Sequence, residues 1–234
     1  FGALQRYMIY GSDFIRRTTL TDPALQGLTS EQLLAKIGDL MGKQHEVLYY
    51  GPQSEKEVTE ALAMHHKTSA ELQPLDKKHL QLLPTDESKV LMAQYDAKQL
   101  YYMQYSNRGE KFDLAADPQI TLYNEYFGGG MNTIVFQEMR EARGLAYSAW
   151  ANLAIPTNAK GDYYYMAFIA TQNDKMQKAI EAFDEIINNM PESEKAFDIA
   201  KEALISRLRT ERTVKDGVPV SYTHLRAHET LSDL

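Results

Sequence analysis

Two runs of strand-forming residues, Leu145 to Leu153 and Tyr163 to Thr171, flank a short break from Pro156 to Gly161, and helical periodicity sets in on either side of the pair. A break that short suits a hairpin, so the two runs are expected to pair as antiparallel neighbours. Upstream, Asp117 and Pro118 open a helix to about Phe127, with Leu122, Tyr123, Tyr126 and Phe127 at helical spacing. Gly128-Gly129-Gly130 ends it, and Asn132 stands where it can cap a further helix through Arg143 that closes on Gly144. Downstream, Met176, Ala179, Phe183, Ile186 and Met190 trace one face of a helix stopped by Pro191, and another runs from about Ser193 to Thr213. The pattern predicts an α+β fold, an antiparallel sheet with helices packed on one face.

The first third of the chain reads differently. Residues 29 to 42 predict an amphipathic helix with Leu33, Leu34, Ile37 and Leu40 on one face, started by a capping box between Thr29 and Gln32. His45 to Tyr50 reads as a short strand, broken by Gly51-Pro52, after which Ser54 and Glu57 can cap a second helix. From 68 to 88 the periodicity fades and Pro74, Pro84 and mixed charges suggest a linker. Val90 to Tyr95 and Leu100 to Ser106 then suggest a hairpin turning at Asp96-Ala97-Lys98.

Composition narrows the partners. With 44% hydrophobic and 24% charged residues over 234 positions, the chain can bury a real core. Its net charge of -7 argues against a phosphate-backbone surface, so no nucleic-acid partner is expected. No stretch approaches the roughly 20 apolar residues of a membrane helix, so no membrane partner is expected either. The chain has no cysteine, which leaves the compartment open. A first residue of Phe1 rather than Met reads as a cut from something longer.

The segment Tyr126 to Ser148, YFGGGMNTIVFQEMREARGLAYS, carries a resemblance. It is similar to the pitrilysin/insulinase family of zinc metallopeptidases, the inverzincins, whose domains show F-G-G-G-M-x-S-x-L-F-x-x-L-R-E-x-x-G-L-A-Y-S. The resemblance implies a LuxS/MPP-like metallopeptidase domain type and an internal fragment from the C-terminal half of such a protein, with two incomplete repeats. On that basis residues 1–67 look like the end of one family domain, 68–88 the linker, and 89–219 the N-terminal part of the next.

In this family four domains form two halves that close around a peptide, and zinc sits in the first domain on H-x-x-E-H. None of His45, His65, His66, His79, His224 or His228 stands in that motif or in H-E-x-x-H, so no zinc site is expected in this chain. The resemblance places zinc in the missing N-terminal part of the parent. His65-His66 near a helix end reads as a solvated pair rather than a ligand set. His224 and His228 have a metal-compatible spacing, but residues 220–234, beginning Val220-Ser-Tyr-Thr-His-Leu, resemble the translation of a transposase adapter used in DNA library preparation. That stretch is expected to be a non-native tail.

The resemblance also implies a role for Arg140 and Tyr147, which match an arginine and a tyrosine, seven residues apart, that reach the substrate near zinc in active members. A guanidinium and a phenol can both donate to a scissile carbonyl oxygen as its charge grows. The plainer alternative pairs Arg140 with Glu141, Glu138 or another acid and lets Tyr147 simply pack. For Gly128, Gly129 and Gly130 the readings are a tight turn needing positive φ and, from the resemblance, a loop near the substrate. A dinucleotide fingerprint is not expected, because Thr133 occupies the third glycine position and a helix precedes the run. The expected partners are therefore a peptide substrate and the N-terminal catalytic half of the same protein, in a zinc-dependent endopeptidase. The other reading is a non-catalytic peptide-binding or scaffold subunit of the same fold.

Overall fold

The structure is a computed structural model, and it describes residues 1–74, 81–156, 160–212 and 217–219. The suspect tail 220–234 and His79 lie outside the described residues. In chain order, helices α1 (Gly2–Thr18), α2 (Asp22–Gln26), α3 (Ser30–Leu40) and α4 (Glu55–His65) precede strand β1 (Gln99–Ser106). Helix α5 (Asp117–Phe127) and the short α6 (Ile134–Phe136) lead to β2 (Ser148–Ala154) and β3 (Tyr164–Gln172), and α7 (Met176–Asn188) and α8 (Glu194–Thr210) follow. Two compact units result, Phe1–Gly11 with Leu82–Arg212 in one and Ser12–Gln81 in the other. The passage between them falls at Gly11, whose φ of 75° breaks α1 into two helical stretches.

In the unit of Ser12–Gln81, local signals make the helices. Both capping boxes read from the sequence form: Gln32 N donates to Thr29 Oγ1 (3.3 Å) while Thr29 N donates to Gln32 Oε1 (3.0 Å), and Ser54 with Glu57 repeats the exchange. No residue of α3 or α4 is buried, and the apolar face of α3 stands open at Leu34 and Ile37. The strand expected at His45 to Tyr50 does not form. Its neighbourhood offers only an isolated bridge between Lys43 and Gln73, and strand-forming residues without a ladder partner remain irregular.

The other unit is built on an antiparallel sheet of order β1-β3-β2. β2 and β3 pair as their pattern predicts, with Trp150 opposite Phe168 and Ala154 opposite Tyr164. β1 pairs with β3 as well, Gln99 opposite Gln172 through Ser106 opposite Tyr165. The expected hairpin with Val90 to Tyr95 is therefore absent, and Val90 and Met92 are almost wholly exposed. Asp96-Ala97-Lys98 carries no glycine or asparagine for a tight hairpin turn, whereas β3 offers β1 a full-length partner.

Alternation then sorts the sheet into two faces. Ala149, Ala151, Ala167 and Ile169 point toward the helices and share a core with Phe127, Val135, Met139, Phe183 and Ile186. On the opposite face Trp150 stacks on Phe168 (5.8 Å between centroids), and Phe1 meets Tyr101 and Phe168 edge-on at 5.3 and 5.5 Å. Burying a side chain the size of Phe183 stabilises the fold by roughly 1.5–3 kcal/mol, so the helical layer is the energetic centre of the unit. Tyr126 joins α5 to the start of α8: its hydroxyl donates to Pro191 O and accepts from Ser193 N.

Small residues on β2 let α5 come close enough to seal the outer edge of the sheet. Asn124 donates through Nδ2 to Leu153 O and accepts from Leu153 N, both at 2.9 Å, so its amide imitates one residue of a neighbouring strand. Ala151 N donates to Gly128 O at 3.2 Å. Asn124→Leu keeps the bulk but strands both Leu153 groups, and is expected to cost about 2 kcal/mol. A urea titration checks it: the midpoint should fall with the slope unchanged, and an unshifted midpoint would show that the edge is held by packing alone.

Candidate functional site

The site grows from the chain between the end of α5 and the start of β2. None of Gly128, Gly129 and Gly130 has positive φ, contrary to the turn geometry expected from the sequence. Close approach explains the first two: a Cβ on Gly128 would lie 1.8 Å from Ala151 O, and one on Gly129 would lie 2.9 Å from Asn124 O. A Cβ on Gly130 would meet nothing within 4 Å. Its carbonyl accepts from the buried Thr133 Oγ1 at 2.6 Å, which anchors the loop to α6.

The expected helix through Arg143 forms in two parts. After the single turn of α6 the chain widens into a π-helical segment, Gln137–Ala142, in which Arg143 N donates to Glu138 O, five residues back. Segments of this kind are rare and gather at functional sites. Met139 turns fully inward, and its carbonyl accepts from both Leu145 N and Ala146 N. Gly144, at φ 57°, makes that reversal possible and closes the helix as its sequence position predicts. Tyr147 N then donates to Ala170 O at 2.8 Å, fixing Tyr147 at the mouth of β2.

This path brings Arg140 and Tyr147 together. The Arg140 guanidinium lies 5.6 Å from the centre of the Tyr147 ring and 5.0 Å from that of Phe136. Two aromatic faces thus hold the cation, each contact worth about 0.5–1 kcal/mol at an exposed position. Arg140 Nε also pairs with Glu141 at 3.6 Å, one of the acids named in the plainer alternative, while Glu138 pairs with Arg143 at 3.4 Å. Arg143 also binds Glu185 at 2.8 Å, a hydrogen bond that raises its pKa. Tyr147 does not pack inward, being 72% exposed. Both residues are exposed.

Beside Tyr147 a shallow cleft of about 230 Å³ is lined by Gln99, Leu145, Thr171, Gln172 and Lys175. That is below the usual range for a drug-sized ligand and suits one side chain or a short stretch of backbone. Phe136 and Lys175 were not singled out in the sequence; the spacing of four between Phe136 and Arg140 was the available signal for the former. The glycines are held by another set of partners, Asn124, Ala151 and Thr133.

Metal chemistry finds no three-ligand site here. Among the described residues no group of three or more His, Asp or Glu side chains converges in a way that could hold an ion.

The model of a family described as the peptidase M16 inactive domain matches residues 28–204. A solved peptidase M16 inactive domain from Pseudomonas fluorescens superposes with a TM-score of 0.58 at 20% identity, covering 87% of this chain and 50% of the other. A protease from Helicobacter pylori superposes with a TM-score of 0.54 at 15% identity, covering 78% of this chain and 45% of that one. The chain thus spans about half the length of the solved structures it matches, and at these identities they speak to the fold. No curated protein matches the sequence.

Proposed function

Because the chain belongs to the peptidase M16 family, as its inactive domain, we propose that it is the substrate-binding portion of a zinc-dependent endopeptidase that hydrolyses peptides inside a closed chamber. The observation that carries the reading is the exposed Arg140–Tyr147 pair, with the guanidinium held 5.6 Å from the ring centre. In this role the Arg140 guanidinium and the Tyr147 hydroxyl donate to the scissile carbonyl oxygen. Their bonds strengthen as charge moves onto that oxygen, so they favour the transition state over the bound peptide. Phe136 keeps the guanidinium plane in place, and the loop of Gly128, Gly129 and Gly130 supplies backbone to the peptide. The zinc ligands and the general base belong to the N-terminal catalytic half, the partner of this chain in the intact protein.

The test is hydrolysis by the intact protein of a library of quenched fluorescent peptides, with and without a chelator. Chelator-sensitive cleavage that disappears when residues 89–219 are deleted from a soluble, zinc-loaded remainder is the expected result. Peptide binding without cleavage in the intact, zinc-loaded protein would replace the reading with that of a non-catalytic binding subunit.

A further inference from the structure

His45 and His66, 21 positions apart in sequence, meet at their ring edges: Nε2 of one lies 2.7 Å from Nε2 of the other, and the rings are 87° apart in plane. Both belong to the unit of Ser12–Gln81. The His45 ring is oriented from behind, its Nδ1 lying 2.6 Å from Lys43 O. A carbonyl accepts only, so Nδ1 carries the proton, and in the neutral ring Nε2 keeps its lone pair and accepts from His66 Nε2–H, whose proton a bound metal ion would displace to His66 Nδ1 or to solvent. Lys43 is itself placed by the bridge to Gln73, with Gln44 N donating to Gln73 O and Gln73 N to Gly42 O, both at 2.8 Å. His66 is the residue that caps the C-terminal end of α4, with its N–H donating to Leu62 O at 2.8 Å, so its ring stands at the helix end where cations are favoured.

We propose that His45 and His66 bind one late first-row divalent ion, Ni²⁺ or Zn²⁺, through their Nε2 atoms, with water in the remaining positions. Metal–imidazole bonds of about 2.0–2.1 Å place two ligand nitrogens about 2.9 Å apart at a right angle and about 3.3 Å apart at a tetrahedral one. The observed 2.7 Å opens to either by a small rotation of two solvent-accessible rings. Neighbouring His65 is outside this contact, and the sequence reading of His65-His66 as a solvated pair did not single out His45 as a partner of His66. Two protein ligands in place of the usual four give an exchangeable site. The site bridges the ends of the segment 45–66, so occupancy should stabilise this unit, in which no described residue is buried. It is independent of the peptidase reading.

The experiment is calorimetric titration of the full chain, carrying His224→Gln and His228→Gln to remove the tail histidines, with NiCl₂, ZnCl₂ and MgCl₂ separately. One Ni²⁺ or Zn²⁺ per chain and no Mg²⁺ uptake is expected, as imidazole discriminates against hard ions. His45→Gln and His66→Gln should each weaken binding at least tenfold and abolish the metal-induced rise in Tm, while His65→Gln leaves both unchanged. Both rings are accessible, so far-UV circular dichroism of the variants should match the parent and separate lost ligation from lost folding. Absence of uptake, or uptake unaffected by His45→Gln and His66→Gln, overturns the assignment.

Discussion

In the intact protein, Tyr147→Phe is expected to lower kcat by about 10²-fold and leave Tm unchanged. The ring stays, and with it the face on which the Arg140 guanidinium rests at 5.6 Å, so only the hydroxyl is lost. At 72% exposure that hydroxyl contributes little to folding, and a loss of turnover would have to come from the reacting centre. Arg140→Lys should behave alike for a different reason: the charge remains, but the planar fork that fits between Phe136 and Tyr147 is gone. A purely structural role predicts the opposite pattern, a lower Tm with turnover per folded molecule intact. Steady-state kinetics alongside thermal melts distinguishes the two, and a near-normal kcat/KM in Tyr147→Phe would withdraw both residues from the chemistry.

The three adjacent glycines should respond in a graded series. Gly128→Ala forces a methyl to 1.8 Å from Ala151 O, against backbone that is itself fixed in β2, and is expected to cost about 3 kcal/mol. Relief would require α5 to withdraw from the sheet, breaking the Asn124 and Gly128 bonds to the β2 edge. Gly129→Ala faces only the Asn124 carbonyl at 2.9 Å and should cost about 1 kcal/mol. Gly130→Ala has open space and ordinary φ, so its stability should stay within about 0.5 kcal/mol of the parent. Equilibrium unfolding in urea ranks the three. A Gly128→Ala protein as stable as the parent would show that the close approach is not rigid. If Gly130→Ala lowers peptide affinity without changing stability, the loop's role at the substrate gains direct support.

Local signals were legible where the cause is itself local. Thr29 with Gln32 and Ser54 with Glu57 state their capping boxes in four residues, and Ser193, Pro191 and Gly144 mark boundaries that the structure keeps. The pairing of β2 with β3 was readable because a short turn leaves little choice. Non-local outcomes were not readable. Whether Leu100 to Ser106 pairs backward with Val90 to Tyr95 or forward with β3 depends on competition between ladders, and residue spacing carries no record of that contest. The π-helical widening at Gln137–Ala142 has no periodic signature either, because one extra residue per turn cannot be told from a helix end within six residues. In the site, Arg140 and Tyr147 were found by resemblance, while Phe136, which completes the guanidinium's cradle, needed the fold. His45 and His66 needed it more, since neither is remarkable alone.

The sealing of one margin of the sheet has a consequence for how copies of this chain can associate. Along β2 the outward N–H of Ala151 and both backbone groups of Leu153 are already engaged by Gly128 and Asn124, whereas β1, among the described residues, has no neighbouring strand on its far side. A sheet with two open margins propagates, each added copy exposing a fresh template for the next. With the β2 margin engaged at these positions, pairing between copies through β1 consumes the one strand edge left open among the described residues. Growth by this route therefore stops at two, in a self-complementary twofold pair rather than an open fibre. Asn124 is in that sense a chain terminator for assembly, and its loss would alter the arithmetic of aggregation as well as the stability of the fold.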